Sequence, residues 1–121
     1  MTEAVAEALY SFWSGFGLTA YTTNNVPQEA VLPYVTYDLT IGKTLSSAPL
    51  AGRLWYEGTL PRAMFQKADE IYNRIKNGYQ IPCGNGYLVL YPGDPFAQPV
   101  ADEDDRISTL YLNLTASFDL N

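Results

Sequence analysis

The sequence predicts an α+β domain: a mostly antiparallel sheet of four to five strands with two helices packed on one face. Three observations carry that reading. Two stretches repeat apolar residues at helical spacing, the C-terminal stretch alternates apolar and polar residues over a dozen positions, and the order is helix, strands, helix, strands. At 121 residues the chain suits one domain, 1–121, long enough to bury a core and too short to divide.

The first helix is expected over Glu3–Phe16, where Val5, Ala8, Leu9, Phe12 and Phe16 form one stripe. Thr2 suits its N-cap, Glu3 suits the positive end of the dipole, and Gly15 and Gly17 end it. A short strand is expected near Leu18–Tyr21. LPYVTYDLTI follows with Val35, Tyr37, Leu39 and Ile41 on one side and Tyr34, Thr36, Asp38 and Thr40 on the other. GRLWYEG, Gly52–Gly58, reads as a less regular strand. The second helix is expected over Leu60–Asn77, capped by Thr59, with Pro61 in the first turn and Gly78 at the left-handed C-terminal position. Its stripe is Met64, Ala68, Ile71 and Ile75, widened by Phe65 and Tyr72; Lys67, Asp69, Glu70, Arg74 and Lys76 cover the other side.

A short piece near Tyr79–Ile81 and the apolar run YLVLY, Tyr87–Tyr91, extend the sheet. The latter suits a central strand covered on both sides. Cys83 enters the turn Gly84-Asn85-Gly86 between them. In the last strand Leu110, Leu112, Leu114, Ala116, Phe118 and Leu120 take the even positions, with polar residues and Tyr111 between them. Two connections read as too long for turns: Gly42–Ala51 and Pro92–Arg106, the second stiffened by prolines. These are where function is sought.

Composition narrows the function. Seven Lys and Arg against thirteen Asp and Glu argue against a protein that grips nucleic acid, because grip comes from cations on phosphates. Histidine is absent and cysteine appears once, which excludes Ser–His–Asp and Cys–His catalysis and the usual Cys/His zinc sites within one chain. The usual general base at neutral pH is missing too, so an enzyme is not expected. One cysteine builds no internal disulfide, no apolar run reaches a membrane span, and MTEAVAEALY carries acids where a signal peptide carries basic residues. Folding in a reducing cytoplasm is expected. The tryptophans, Tyr34 and Tyr111 exceed what a core needs; such aromatics pack beneath loops or meet a partner.

The motifs that suggest chemistry fail on spacing. Gly42-Lys43-Thr44 lacks the earlier glycine of a phosphate-binding loop, since position 37 is Tyr, and no helix follows. Asp102 and Asp104 are spaced like the first and third ligands of a calcium loop, but Ile107 and Asn113 stand where glycine and glutamate are required. Asn113-Leu114-Thr115 lies mid-strand, a poor glycosylation acceptor. No catalytic, cofactor-binding or metal-binding residue is assigned. Asp102, Glu103, Asp104 and Asp105 stay open between a solvated loop, a surface that meets a partner or DNA, and a loose divalent-ion site.

FWSGFGLTAY, VPQEAVLPYVTYDL, LWYEGTLPRAMFQKADEIYNRI and IPCGNGYLVLYPGDPFAQPVADEDDRISTLYLNLTASF, in that order, span most of the chain. This pattern resembles the tail terminators, the small tail-completion and head–tail joining proteins of long-tailed bacteriophages and prophages. The resemblance implies a structural virion protein that forms a hexameric ring on the head-proximal end of the tail, assembled in the host cytoplasm. Its partners would be further copies of itself, the tail tube protein and the head connector or stopper. Double-stranded DNA would pass through the lumen without specific binding; no cofactor, enzyme activity or membrane is involved. Lys43, Thr44, Leu45, Pro95, Phe96, Asp102, Glu103, Asp104, Asp105 and Arg106 are the candidates for the subunit interface or lumen. A head-side connector or stopper ring, and a small divalent-ion-dependent binding module, are the alternatives.

Overall fold

Amphipathic patterning is converted into layers in the computed structural model, which describes residues 2–120. Helix α1 spans Thr2–Trp13 and tightens into a 3-10 turn at Ser14–Phe16, closed by Gly17 at φ 78°. Strands β1 (Thr19–Thr22), β2 (Tyr34–Tyr37) and β3 (Ser46–Glu57) follow. After helix α2 (Arg62–Ile75) come β4 (Tyr79–Cys83), β5 (Gly86–Val100) and β6 (Ile107–Asp119). The fold is α+β, and the sheet has six strands rather than four to five, in the order β1-β2-β3-β6-β5-β4. The β1–β2 pair is parallel and every other pair antiparallel.

One apolar cluster joins both helices to the sheet. Val5, Leu9, Phe12 and Trp13 of α1 and Met64, Ala68, Ile71 and Ile75 of α2 meet Leu50 and Leu54 of β3, Leu88 and Leu90 of β5, and Leu110–Phe118 at even positions of β6. The period-two pattern of β6 is therefore the floor of the core. Phe65 and Tyr72 do not widen the stripe inward; both are exposed, although Tyr72 meets Phe96 edge to face. Trp13, expected to be surplus, is wholly buried. Its indole lies over Gly52, where any Cβ would overlap the ring, and stacks on Tyr37 at 6.1 Å.

Several boundaries differ from the sequence reading for identifiable reasons. Helix α2 begins two residues late, with Pro61 rather than Thr59 at its N-cap and no side-chain cap. Leu60 takes φ 44° and sends its backbone N–H to Ser108 Oγ. Strand β2 stops at Tyr37, so Leu39 is exposed instead of inward.

The expected loop Gly42–Ala51 is mostly strand. Residues from Ser46 onward pair with β6, which carries low-propensity Ser47, Ala48 and Pro49 into the ladder. The expected loop Pro92–Arg106 is likewise strand as far as Val100. Its register shifts between Pro92 and Ala97, around the cis Asp94–Pro95 bond. β4 pairs only with Gly86–Leu90, so the rest of β5 lies on a strand edge, where prolines are tolerated. The same strand was expected to be covered on both sides, yet Tyr87 and Tyr91 are exposed, on the face opposite the buried Leu88 and Leu90. The hairpin at Gly84-Asn85 agrees with the sequence reading: Cys83 pairs with Gly86, and Gly84 has φ 60°.

Candidate functional site

The candidate residues fall at three places along the β3–β6 ladder. The ladder pairs Ser46 with Phe118 at one end and Glu57 with Ile107 at the other. With ~3.3 Å per residue, those ends lie roughly 36 Å apart. Lys43, Thr44 and Leu45 sit at the first end and Asp102–Arg106 at the second. Pro95 and Phe96 lie between them, at the β5 bulge. The sequence offered them as candidates for a subunit interface or a lumen, and the fold places them at separate points along the ladder.

At the first end, Thr44 is a fastener. Its Oγ1 donates to Leu120 O at 2.5 Å and accepts from Leu120 N at 3.1 Å, while Leu45 N donates to Phe118 O at 2.8 Å. Ser46 Oγ donates to Lys43 O. Leu45, held at φ 59°, is 86 % exposed, an apolar tip open to solvent. Mid-ladder, Asn113 Nδ2 donates to Pro95 O at 3.0 Å, and Phe96 turns onto Tyr72 at 5.2 Å. Phe96 therefore belongs to packing under α2.

The acidic loop divides its carboxylates by parity. Asp102 Oδ2 accepts from Asp104 N at 3.0 Å. Asp104 accepts from Arg106 three times, through the backbone N, Nε and Nη2 at 3.0, 3.0 and 2.8 Å. The Arg106 guanidinium holds the Asp104 carboxyl down at about 2, and Asp104 in turn raises Arg106. Gly58 N donates to Arg106 O, joining the loop to the end of β3. Glu103 and Asp105 are exposed and take no part in these bonds. Among the described residues no three acidic or cysteine side chains converge as metal ligands. Arg106 thus has a partner within its own loop.

The feature that motif reading missed is the sheet face opposite the helices. Tyr21 meets Tyr34 edge to face at 5.6 Å, and Tyr34 stacks on Trp55 at 5.8 Å. Trp55 Nε1 donates to Thr36 Oγ1 at 2.9 Å. The Arg53 guanidinium lies 5.5 Å from the Trp55 ring and 5.7 Å from the Tyr111 ring. Register explains the row: Tyr34 faces Trp55, Thr36 faces Arg53, and Arg53 faces Tyr111 across three strands. A dish of about 260 Å³ opens here, lined by Thr36, Asp38, Arg53, Trp55 and Tyr111 among others.

Among the described residues Arg53 makes no ion pair and is the single Lys or Arg on this face of the sheet. The Tyr34 phenol is pushed up by burial first and then by the charge of Asp102, so the acidic loop borders the aromatic row. Tyr34 and Tyr111 were legible as surplus aromatics. Arg53 was not, because the rings that hold it come from different strands.

No family model matches the chain, and no curated protein matches it significantly. Among solved structures, a protein whose name carries no functional description aligns over 100 % of this chain and 97 % of its own, with a TM-score of 0.65 at 13 % identity. At that identity the likeness concerns the fold alone.

Proposed function

We propose that the chain is a structural protein of a phage virion, a tail terminator that assembles as a ring on the head-proximal end of the tail tube. The observation that carries this reading is the open face of the sheet. The described helices pack on one side of the six-stranded sheet, and the other side presents Tyr21, Tyr34, Trp55 and Tyr111 around Arg53, which makes no ion pair among the described residues. Clustered aromatics with arginine are the composition of a contact surface. The free edge of β5 and the exposed Leu45 give each copy further surface for neighbours to cover.

An acidic ring also suits the passage of DNA, since a net charge of −6 per chain keeps a polyanion from adhering to the lumen. The head connector or stopper would then meet the face of the ring away from the tube. Native mass measurement of the purified chain, alone and bound to tail tubes, is expected to give a six-fold ring. Tubes assembled without the protein are expected to overgrow and to fail at joining heads. Tubes of normal length that still join heads would refute the reading, and binding to the capsid connector but not to tubes would move the protein to the head side.

A further inference from the structure

We propose that the dish around Arg53 is the socket for the acidic loop of a second copy, with the exposed carboxylates of Glu103 and Asp105 seated on the guanidinium between Trp55 and Tyr111. This rests on the ring reading and names the contact that would hold the ring.

Charge selects the occupant. Each copy carries −6, so two copies repel unless a cation of one meets an anion of the other at short range. On the open face that cation is Arg53. Its guanidinium lies 5.5 and 5.7 Å from the two ring centroids, and among the described residues it makes no ion pair, although Asp38 lines the same dish. A planar fork of donors is built for a carboxylate, and desolvation between aromatic walls strengthens the pair. On the donor side, Asp102 and Asp104 are used within the loop, which holds its shape and leaves Glu103 and Asp105 directed outward without partners in it. The hydrogen-bonded loop is the plug and the dish the recess.

Shape then selects the symmetry. Arg53 lies four residues inside the end of the ladder at Glu57, while the loop joins beyond that end through Ile107. A plug and a socket at different places on one chain permit a head-to-tail contact, which repeats around an axis and gives a ring where the rotation closes.

The test uses charge exchange between whole chains, followed by native mass measurement under the conditions in which the unaltered protein forms rings, on tail tubes if these are required. Arg53→Glu alone, and Glu103→Lys with Asp105→Lys alone, are each expected to weaken assembly at least tenfold. Mixing the two altered chains in equal amounts is expected to restore rings. Acidic loops then enter the unaltered Arg53 sockets, and basic loops enter the sockets made acidic by Arg53→Glu, in alternation. Arg53→Gln, which keeps an uncharged stem over the rings, is expected to assemble poorly and not to be rescued by the loop-reversed chain, which checks that charge rather than folding is read. Rings that persist in Arg53→Glu, or a mixture that stays monomeric, would each overturn the socket while leaving the ring reading standing. An unaltered chain that never assembles, even on tubes, overturns both.

Discussion

Leu112 and Tyr111 are neighbours in β6, yet they live on opposite sides of the sheet and answer to different physics. Leu112 is wholly buried against the helices, in a layer whose membership was decided by apolar area. Tyr111 is half-buried on the open face, where its ring lies 5.7 Å from the Arg53 guanidinium. The covered face holds the domain together; the open face is available for what the domain does next. The two should therefore separate experimentally, one in folding stability and the other in association.

The largest loss is expected on the covered side at Trp13. The indole meets Phe12 edge to face at 5.0 Å, stacks on Tyr37 and fills the space above Gly52. Trp13→Ala should cost about 3–5 kcal/mol in urea unfolding, a large share of the ~5–15 kcal/mol that stabilises a typical domain. Its Nε1 has no hydrogen-bond partner among the described residues, so Trp13→Phe should cost clearly less. Equal losses for the two variants would mean that ring volume is not what matters at this position.

The most direct comparison pairs the neighbours themselves. Leu112→Ala is expected to lower stability by about 2–5 kcal/mol. Tyr111→Ala, which forfeits a half-exposed ring and its contact with Arg53, should cost at most about 1 kcal/mol but reduce ring assembly. Urea midpoints and native masses of both variants decide it. A Tyr111→Ala chain that unfolds as readily as Leu112→Ala would show that the open face is structural after all.

The same contrast explains what could be read from sequence. The covered face was legible because burial on one side writes a period into the chain: Leu110 to Leu120 at even positions, and Val5, Leu9 and Phe12 at helical spacing. Trp13 was also recoverable, since Val5, Leu9 and Trp13 step by four. The lengths of β3 and β5 were not. Ser47, Ala48 and Pro49 have little strand preference, and Pro92, Pro95 and Pro99 read as punctuation; only pairing with β6 keeps both segments extended. The placement of the candidate residues was hidden for a related reason. Only the register shows that loop residues 43–45 and 102–106 occupy opposite ends of a ladder. Arg53 and Trp55 share a face by strand alternation, but Tyr111 joins them by cross-strand pairing over more than fifty residues, which no local pattern records.

A smaller effect is expected at the ladder's first end. Thr44 Oγ1 both donates to and accepts from Leu120, fixing the last residues of β6 to the turn before β3. Thr44→Val keeps the shape and removes both bonds, and should cost about 1–2 kcal/mol. Amide exchange at Leu120 should quicken first, before that of Leu112, because the fastener acts locally.

The smallest effect concerns the plug, and pH exposes it. Asp104 has a carboxyl held at about 2 by Arg106, below its ordinary value near 3.8. A depressed acid stabilises the state that holds it: the contribution is complete above the ordinary value and fades as pH falls through about 2. The pair is solvent-exposed and screened, so its contribution to global stability is slight. What changes is the order of the loop. Titration followed by the side-chain carboxyl resonance of Asp104 should give a midpoint near 2, and the Arg106 Nε–H should lose its protection over the same range. Asp104→Asn should remove that step and loosen residues 102–106 already at neutral pH, weakening ring assembly while leaving the urea midpoint close to that of the parent. An Asp104 that titrates near 3.8 would mean that the loop is not preformed, and the plug would then have to be ordered by its socket.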